Sequence, residues 1–199
     1  MFVSDILSPM RIVTFDIETI GGFSRGGFDI KDLELTICCT HDSETDSYES
    51  FLKEDLPKLW KLFDQADVIV GFNSDHFDIP VLNKYYPGDL STMRSIDLLA
   101  EVSNVLGRRV KLDAIAAGTL GTKKSGSGLD AMKWWKEGNI KKLREYCIKD
   151  VEITRKIFDY ALQNGSLKYK ELGAVKDVKL DTTRWLSGKA VPLTQTLGF

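Results

Sequence analysis

The sequence has few of the residues that form disulfides or zinc sites. Its 199 residues include only three cysteines, two histidines and five prolines. The cysteines are odd in number and have no metal-ligand spacing, which argues against a disulfide framework and predicts a reducing compartment; they are Cys38, Cys39 and Cys147. The first ten residues are too short and too mixed for a secretory signal, and no apolar run approaches the length of a membrane span. We therefore expect a soluble, intracellular (cytoplasmic) protein without a membrane partner.

The chain also lacks an excess of either charge. It carries 27 Lys and Arg against 29 Asp and Glu, which gives a formal net charge of −2. Non-specific attraction of a polyanion by bulk positive charge is therefore not expected, and contact with nucleic acid would need a local basic patch. Nothing repeats internally, and 43% hydrophobic residues in a chain of this length suffice for one domain with its own core.

A predicted strand that ends in two acids is the most informative segment. Residues 11–20 are rich in β-branched and aromatic side chains, and Asp16 and Glu18 stand two apart near the end of this run. Side chains two apart in a strand share a face, so the two carboxylates repel each other unless a cation such as Mg²⁺ lies between them. In the alternative interpretation, the acids simply belong to a strand that leads into a polar turn. The connection that follows is predicted to be mobile from its glycines, which are Gly21, Gly22, Gly26 and Gly27.

Strand and helix patterns along the chain predict an α/β fold. Two further strands, 33–40 and 45–52, follow the first with short links and indicate a three-stranded meander. Two shorter strands are predicted later, at 67–73 and 93–96. Helices are predicted from apolar residues at three- and four-residue spacing; they fall at 56–63, 77–85, 98–106, 112–120, 129–138 and 140–163.

Asp97 and the C-terminal residues each allow more than one structural interpretation. Asp97 fits the N-cap of the helix at 98–106 better than it fits a metal site. Residues 166–199 carry six Lys and Arg against three Asp and Glu, and their short apolar runs predict a hairpin or an arm packed on the rest. We therefore divide the chain into a domain at 1–165 and a basic C-terminal extension at 166–199.

Further acids stand where they could join Asp16 and Glu18. Asp78 lies just inside the helix that follows the fourth predicted strand, and Tyr146 and Asp150 lie four apart on one face of the longest helix. Each acid also has a structural interpretation. Asp78 would stabilise a helix N-terminus, and Asp150 would lie on a solvated helix flank. From spacing alone, both interpretations stay open.

In order and context these positions resemble the three motifs of the DEDD superfamily, the 3′→5′ exonucleases with a ribonuclease H-like fold. The first motif matches Phe-Asp-Ile-Glu-Thr at 15–19, the second Asn-Ser-Asp-His-Phe-Asp at 73–78, and the third Tyr-Cys-Ile-Lys-Asp at 146–150. Glu145 stands where the histidine subgroup has its histidine, so the chain resembles the tyrosine subgroup, DEDDy. Within that subgroup, the first two motifs are most similar to the proofreading domain of family B DNA polymerases.

This resemblance implies a ribonuclease H-like fold, with a mixed five-stranded sheet flanked by helices, and a site for two divalent ions, Mg²⁺ or Mn²⁺. Asp16 would bridge both ions, while Glu18 and Asp150 would complete the site of the ion that binds the attacking water. Asp78 would serve the second ion, which stabilises the leaving 3′ oxygen. Tyr146 would orient the water by a hydrogen bond, because a phenol with an ordinary pKa of about 10 is a poor base at neutral pH.

The resemblance also suggests where nucleic acid would bind. Thr19, Asn73 and Phe77 would line the pocket for the strand end, although Asn73 and Phe77 could equally be a capping amide and a core aromatic residue. Phosphate contacts are predicted from basic residues, each of which could instead belong to a solvated surface; they are Lys123 and Lys124 in a glycine-rich loop, with Arg108, Arg109 and Lys111.

We therefore expect a metal-dependent 3′→5′ exonuclease that acts on single-stranded ends, with DNA favoured over RNA and with replication or repair proteins as candidate partners. Two alternatives stay open. A ribonuclease that trims RNA 3′ ends would use the same acids, since a 2′-hydroxyl contact can come from the backbone. A non-catalytic module that binds nucleic acid or a partner protein would gain nothing from clustered carboxylates near phosphates.

Overall fold

A computed structural model of the chain describes residues 10–24, 27–122 and 127–187. Within those ranges it contains a five-stranded sheet, a two-stranded hairpin and six α-helices, none of which has the length and apolar character needed to cross a membrane. The strands are β1 (Ile12–Ser24), β2 (Gly27–Asp42), β3 (Ser47–Phe51), β4 (Val68–Gly71), β5 (Ser95–Asp97), β6 (Ser166–Glu171) and β7 (Ala174–Lys179). The helices are α1 (Leu56–Asp64), α2 (Asp78–Leu82), α3 (Leu98–Leu106), α4 (Leu112–Thr119), α5 (Gly128–Lys136) and α6 (Ile140–Asn164).

The five-stranded sheet has the mixed order β3-β2-β1-β4-β5. Strands β1, β2 and β3 form the predicted antiparallel meander, and β4 and β5 run parallel to β1 on its other side. The expected mixed five-stranded sheet flanked by helices is therefore confirmed. Thr14 of β1 pairs with Val70 of β4, so the turn that follows β4 begins beside Asp16.

Alternation along β1 separates an apolar face from a polar face. Phe15 and Ile17 pack into a core with α1 and α2, where the rings of Phe15 and Phe63 lie 5.3 Å apart in an edge-to-face arrangement. Asp16 and Glu18 therefore point to the opposite face of the sheet. That face is the one on which α6 packs.

Helix α6 is the longest helix and covers the polar face of β1. Leu143, Cys147 and Val151 form part of its buried stripe and pack in one cluster with Ile37 and Cys39 of β2. Burying each large aliphatic side chain of this kind stabilises the fold by about 1.5–3 kcal/mol, so the position of the helix on the sheet is strongly determined.

The glycines after the first motif do not form the expected mobile connection. Strand β1 continues through Gly21 and Gly22, and β2 begins at Gly27, while Gly26 lies outside the described residues. Gly21 has a φ of +96°, and a Cβ atom there would lie 2.7 Å from the Asp32 carbonyl oxygen. A side chain would not fit at position 21, so glycine is required there, where the pairing of β1 with β2 shifts its register. The prediction of a mobile link was wrong for Gly21 and Gly22, because glycine content does not distinguish a bulge from a loop.

The C-terminal hairpin of β6 and β7 packs on the preceding helices. Leu167, Tyr169 and Val178 lie in the same buried cluster as side chains of α4 and α6. The Trp185 indole stacks on the ring of Phe158 in α6, with ring centres 5.5 Å apart. The hairpin therefore shares a core with the residues before it. The domain boundary placed at residue 165 stays a prediction.

Gly118 lies where α4 approaches the backbone of β6, so replacing it by alanine should destabilise the protein. An added Cβ atom would lie 2.5 Å from the Tyr169 Cα and 2.6 Å from the Tyr169 nitrogen. Because these are backbone atoms, Gly118→Ala should lower the free energy of unfolding, measured in urea, by about 1–3 kcal/mol. Gly128→Ala is the control, since nothing lies within 4 Å of its added Cβ atom. Equal stability of the two variants would contradict the close packing of α4 on β6.

Candidate active site

Three carboxylates from two elements meet at one place. Asp16 and Glu18 extend from β1, and Asp150 extends from α6, which packs over that strand. One carboxylate oxygen from each residue lies within 4.8 Å of those of the other two. Strand geometry accounts for the first pair, and the packing of the helix brings the third acid to them.

The three-acid cluster has the chemistry of a site for a small divalent cation. Carboxylate oxygens are hard ligands of the kind that Mg²⁺ and Mn²⁺ prefer. Like charges at this separation repel each other by on the order of 3 kcal/mol per pair at an effective dielectric constant of about 20, and a cation between them would remove that cost. Asp16, Glu18 and Asp150 are therefore the described residues that could together hold a divalent metal.

Asp78 lines the same cavity as these acids but is not a member of the three-acid cluster. It opens α2, is 5% exposed, and accepts a hydrogen bond at its Oδ1 from the Ile17 N–H at 3.1 Å. Ile17 stands between the two acids of β1, so this bond ties Asp78 to the strand at the site. Burial raises the pKa of the Asp78 carboxyl to about 7, the Ile17 N–H counteracts the rise, and the charge of Asp97 adds to it. The expected role of Asp78 as a metal ligand stays a prediction.

Tyr146 precedes Asp150 by one turn of α6 and lines the same cavity. Its side chain is only 5% exposed. The Trp134 ring of α5 packs edge-on against it, with ring centres 5.7 Å apart. This packing restricts the orientation of the phenol ring beside the acids.

Cys147 is a neighbour of the acids that the sequence did not reveal. Its Sγ donates to the backbone oxygen of Asp16 at 3.5 Å and lies 3.8 Å from the Asp16 Oδ2. Burial raises the pKa of the Cys147 thiol well above its ordinary value, so the group stays a neutral donor next to Asp16. The only sequence signal was its place in the apolar stripe of α6, which predicts a core residue.

The acids line a cavity of about 480 Å³. Thr19, Asn73 and Phe77, the residues predicted to line the strand-end pocket, all contribute to its wall. The cavity therefore brings these three residues together with the acids of all three motifs. Their contact with nucleic acid stays a prediction.

Much of the remaining wall is apolar. It is formed by side chains of the β1–β2 arm, of the segment after β4 and of α5, namely Phe28, Leu33, Phe72, Leu129 and Met132. Phe28 is 53% exposed and Leu129 is 73% exposed. Large apolar side chains left exposed at a cavity indicate a binding surface. Sequence reasoning missed them, because Phe28 lies in a glycine-rich stretch and Leu129 begins a predicted helix, and neither position carries a signal for a cavity wall.

A second cavity of about 500 Å³ adjoins the first, and Asp16, Asn73 and Asp150 line both. Two of the predicted phosphate contacts, Arg109 and Lys111, also line it. The Arg109 guanidinium donates to the Asn73 Oδ1, which fixes the orientation of that side-chain amide. Positive charge therefore lies close to the three-acid cluster on this side.

Arg108, another predicted phosphate contact, is not brought to the site. Arg108 pairs with the Glu171 carboxylate at 2.7 Å, lies over the ring of Tyr169, and lines neither of the two cavities. Lys123 and Lys124 lie outside the described residues. Their role in binding phosphate stays a prediction.

A mixed sheet whose central strand carries paired acids, joined by an acid of the long helix, defines a ribonuclease H-like α/β protein. In agreement, the family model RNase_H_2, of the RNase_H superfamily, matches residues 13–163. The chain therefore belongs to the ribonuclease H superfamily, and the three motifs fall inside the matched range. Ribonuclease H-like nucleases generally use divalent metals, which agrees with the three-acid cluster. Family and site together support a nuclease.

Comparison with solved structures agrees with this assignment. The family B DNA polymerase from the hyperthermophilic archaeon Pyrobaculum calidifontis is similar, with a TM-score of 0.58 and 21% sequence identity. The match covers 77% of this chain and 25% of the polymerase, so the chain spans about a quarter of that protein's length. At this identity the likeness shows the fold. None of the curated proteins compared with the chain matches it.

The raised pKa of Asp78 predicts how the stability of the metal-free protein depends on pH. The pKa lies near 7 in the folded state and near 4 when unfolded, so the stability contributed by the neutral carboxyl is complete below about pH 4. It is lost as the pH rises through 7. Thermal unfolding in chelator should therefore show wild type losing stability relative to Asp78→Asn between pH 5 and 8, by at most on the order of 4 kcal/mol.

Asp78→Asn is a matched variant for this measurement. The amide oxygen can still accept from the Ile17 N–H, but the side chain cannot ionise. A stability difference between the two proteins that stays constant from pH 5 to pH 8 would contradict the raised pKa.

Proposed function

We propose that the protein is a metal-dependent 3′→5′ exonuclease that hydrolyses phosphodiester bonds at single-stranded nucleic-acid ends, with DNA favoured over RNA. The observation that carries this proposal is the convergence of Asp16, Glu18 and Asp150 in a cavity that Asp78 and Tyr146 also line. Packing alone does not require these polar groups to face one cavity. Phosphodiester hydrolysis at a pair of cations requires several carboxylates at one place, because they hold the cations.

In the proposed reaction, water attacks the terminal phosphodiester phosphorus, the bond from phosphorus to the 3′ oxygen breaks, and that oxygen takes up a proton. Asp16, Glu18 and Asp150 would hold one divalent ion, and Asp78 would serve a second one shared with Asp16. When bound, the two ions would lower the pKa of the attacking water and stabilise the leaving oxygen. Asp78 must release its proton to act as a ligand, and Tyr146 would fix the direction of the water by a hydrogen bond.

The apolar wall of the first cavity supports a single-stranded end as the substrate. An unpaired base can stack on side chains such as Phe28 and Leu129, whereas a base within a duplex has its faces covered by its neighbours. Arg109 and Lys111 in the adjoining cavity would contact phosphates without reading sequence. Because Asp16 lines both cavities, a strand that lies across them would bring a phosphodiester to the acids.

The fold similarity to a DNA polymerase favours DNA as the substrate and a replication or repair protein as a partner. A ribonuclease that trims RNA 3′ ends would use the same acids. The preference for DNA or RNA is therefore decided by comparing the shortening of DNA and RNA strands. A binding module without catalysis is disfavoured, since clustered carboxylates repel phosphates unless cations bind there too.

Removing one acid of the cluster should abolish hydrolysis. Asp16→Asn and Asp150→Asn should each lower the rate of shortening of a single-stranded oligonucleotide by at least about a hundredfold, because each removes a charged ligand at the reacting phosphate. The measurement uses 3′-labelled and 5′-labelled DNA and RNA strands with Mg²⁺ or Mn²⁺. Stepwise loss from the 3′ end, abolished by chelator, is the expected result.

Asp159→Asn is the matched control, because Asp159 lies on the same helix, pairs with Arg155 at 3.2 Å and lines neither of the two cavities. It should retain wild-type activity. Absence of 3′ shortening in wild type, or shortening unaffected by Asp16→Asn, would reject the proposal. Activity on RNA alone would favour the ribonuclease.

Lys111 should contribute to strand binding through its charge. Lys111→Ala should weaken binding of a single-stranded oligonucleotide in chelator and reduce the slope of log K against log salt by about 0.7–1. Lys58→Ala is the control, because Lys58 is an exposed residue of α1 that pairs with Asp55 and lines neither cavity. An unchanged salt slope in Lys111→Ala would exclude a phosphate contact at this residue.

A further inference from the structure

Asp97 makes more contacts than a helix cap requires. It ends β5 and begins α3, is 3% exposed, and accepts at its Oδ1 from the N–H groups of Leu99 at 2.9 Å and Ala100 at 3.3 Å. These two bonds are the N-cap predicted from the sequence. The same carboxylate also accepts from the Asn73 N–H at 2.7 Å and from the Asp75 N–H at 3.2 Å.

The turn that receives these two extra bonds carries the second motif. Asp97 lies beside its start, because Gly71 at the end of β4 pairs with Asp97 in the sheet. From the turn, Asn73 and Phe77 line the first cavity, and the chain enters α2 at Asp78. The position of Asp97 is therefore linked to the position of Asp78 through one short segment.

This segment is conformationally demanding. Asn73 has a φ of +68°, a left-handed conformation that costs a non-glycine residue free energy unless its surroundings hold it. The turn also lies tightly on the end of β4, since a Cβ atom on Gly71 would lie 2.4 Å from the Ser74 Cβ. Three backbone bonds continue it into α2: from the Phe77 N–H to the Asn73 oxygen at 3.0 Å, from the Ile79 N–H to the Ser74 oxygen at 2.9 Å, and from the Val81 N–H to the Phe77 oxygen at 3.2 Å.

We propose that Asp97 is a positioning residue of the active site: its carboxylate holds the amides of Asn73 and Asp75 and thereby sets the place of Asn73 and Asp78 in the cavity. This inference rests on the proposed nuclease function for its catalytic consequence. Asp97 itself does not touch the reacting atoms. Its oxygens are committed to four N–H groups, so it acts through the turn.

Two substitutions at Asp97 separate this role from that of a simple cap. In Asp97→Asn the amide oxygen can replace Oδ1 and keep the bonds from Asn73, Leu99 and Ala100, but the amide nitrogen cannot accept from the Asp75 N–H. Asp97→Ala removes all four bonds. Asp89→Asn is the control, because exposed Asp89 caps the short 3₁₀ helix Leu90–Thr92 away from the two cavities.

Hydrogen exchange of individual amides tests the positioning directly, in full-length protein and without substrate. Exchange of the Asp75 amide should be at least about tenfold faster in Asp97→Asn, and exchange of both Asn73 and Asp75 amides should accelerate in Asp97→Ala. In the nuclease assay, kcat should fall by about tenfold to a hundredfold in Asp97→Ala, with an intermediate loss in Asp97→Asn and a KM change below about threefold.

Folded Asp97→Asn with wild-type exchange at Asp75 and wild-type kcat would overturn the inference and leave Asp97 as a cap. A similar loss of kcat in Asp89→Asn would overturn it too, because general loss of a cap would then explain the effect. If wild type has no nuclease activity, the proposed function fails, and the exchange rates still decide whether Asp97 holds the turn. If Asp97→Ala does not fold, Asp97→Asn alone decides.

Discussion

Electrostatic repulsion among buried or half-buried carboxylates is the constraint on which the site depends. Asp16, Glu18 and Asp150 lie within 4.8 Å of one another, an arrangement that like charges resist. The apolar packing of α6 on the sheet, through Leu143 and Val151, keeps them together. Stability gained in the core is thus used to maintain an unfavourable charge arrangement, which is the usual sign of a functional site.

The remaining parts of the site depend on backbone hydrogen bonds to buried carboxylates. Asp78 accepts from the Ile17 N–H between the two acids of β1, and Asp97 accepts from the turn that leads to Asp78. The side chains of Asp78 and Asp97 therefore connect the neighbouring strands β1, β4 and β5 with the starts of α2 and α3. Elements connected in this way can hold ligands to within a fraction of an ångström, which metal-dependent hydrolysis requires.

Local patterns predicted most of the fold. The helical spacing in α6 and the cap at Asp97 identified helices whose bounds the structure reproduces closely. The strand character of residues 11–20 identified β1, which continues beyond the predicted end to Ser24. The sequence-based prediction failed where one residue type occurs in two kinds of structure, as glycine does in loops and in bulged strands. Gly21 looked like part of a loop but permits a register shift inside a strand pair, because the sequence does not show which backbone atoms will lie next to it.

The sequence by itself determined that an apolar strand carries two acids on one face, and that a tyrosine and an acid lie one turn apart on a long helix. These statements follow from the fixed periods of strand and helix. Only the tertiary structure decided that Asp150 joins the pair on β1, that Asp78 is buried against the Ile17 amide, and that apolar side chains complete the cavity. Such meetings depend on how distant segments pack, and local periodicity contains no information about the distance between them.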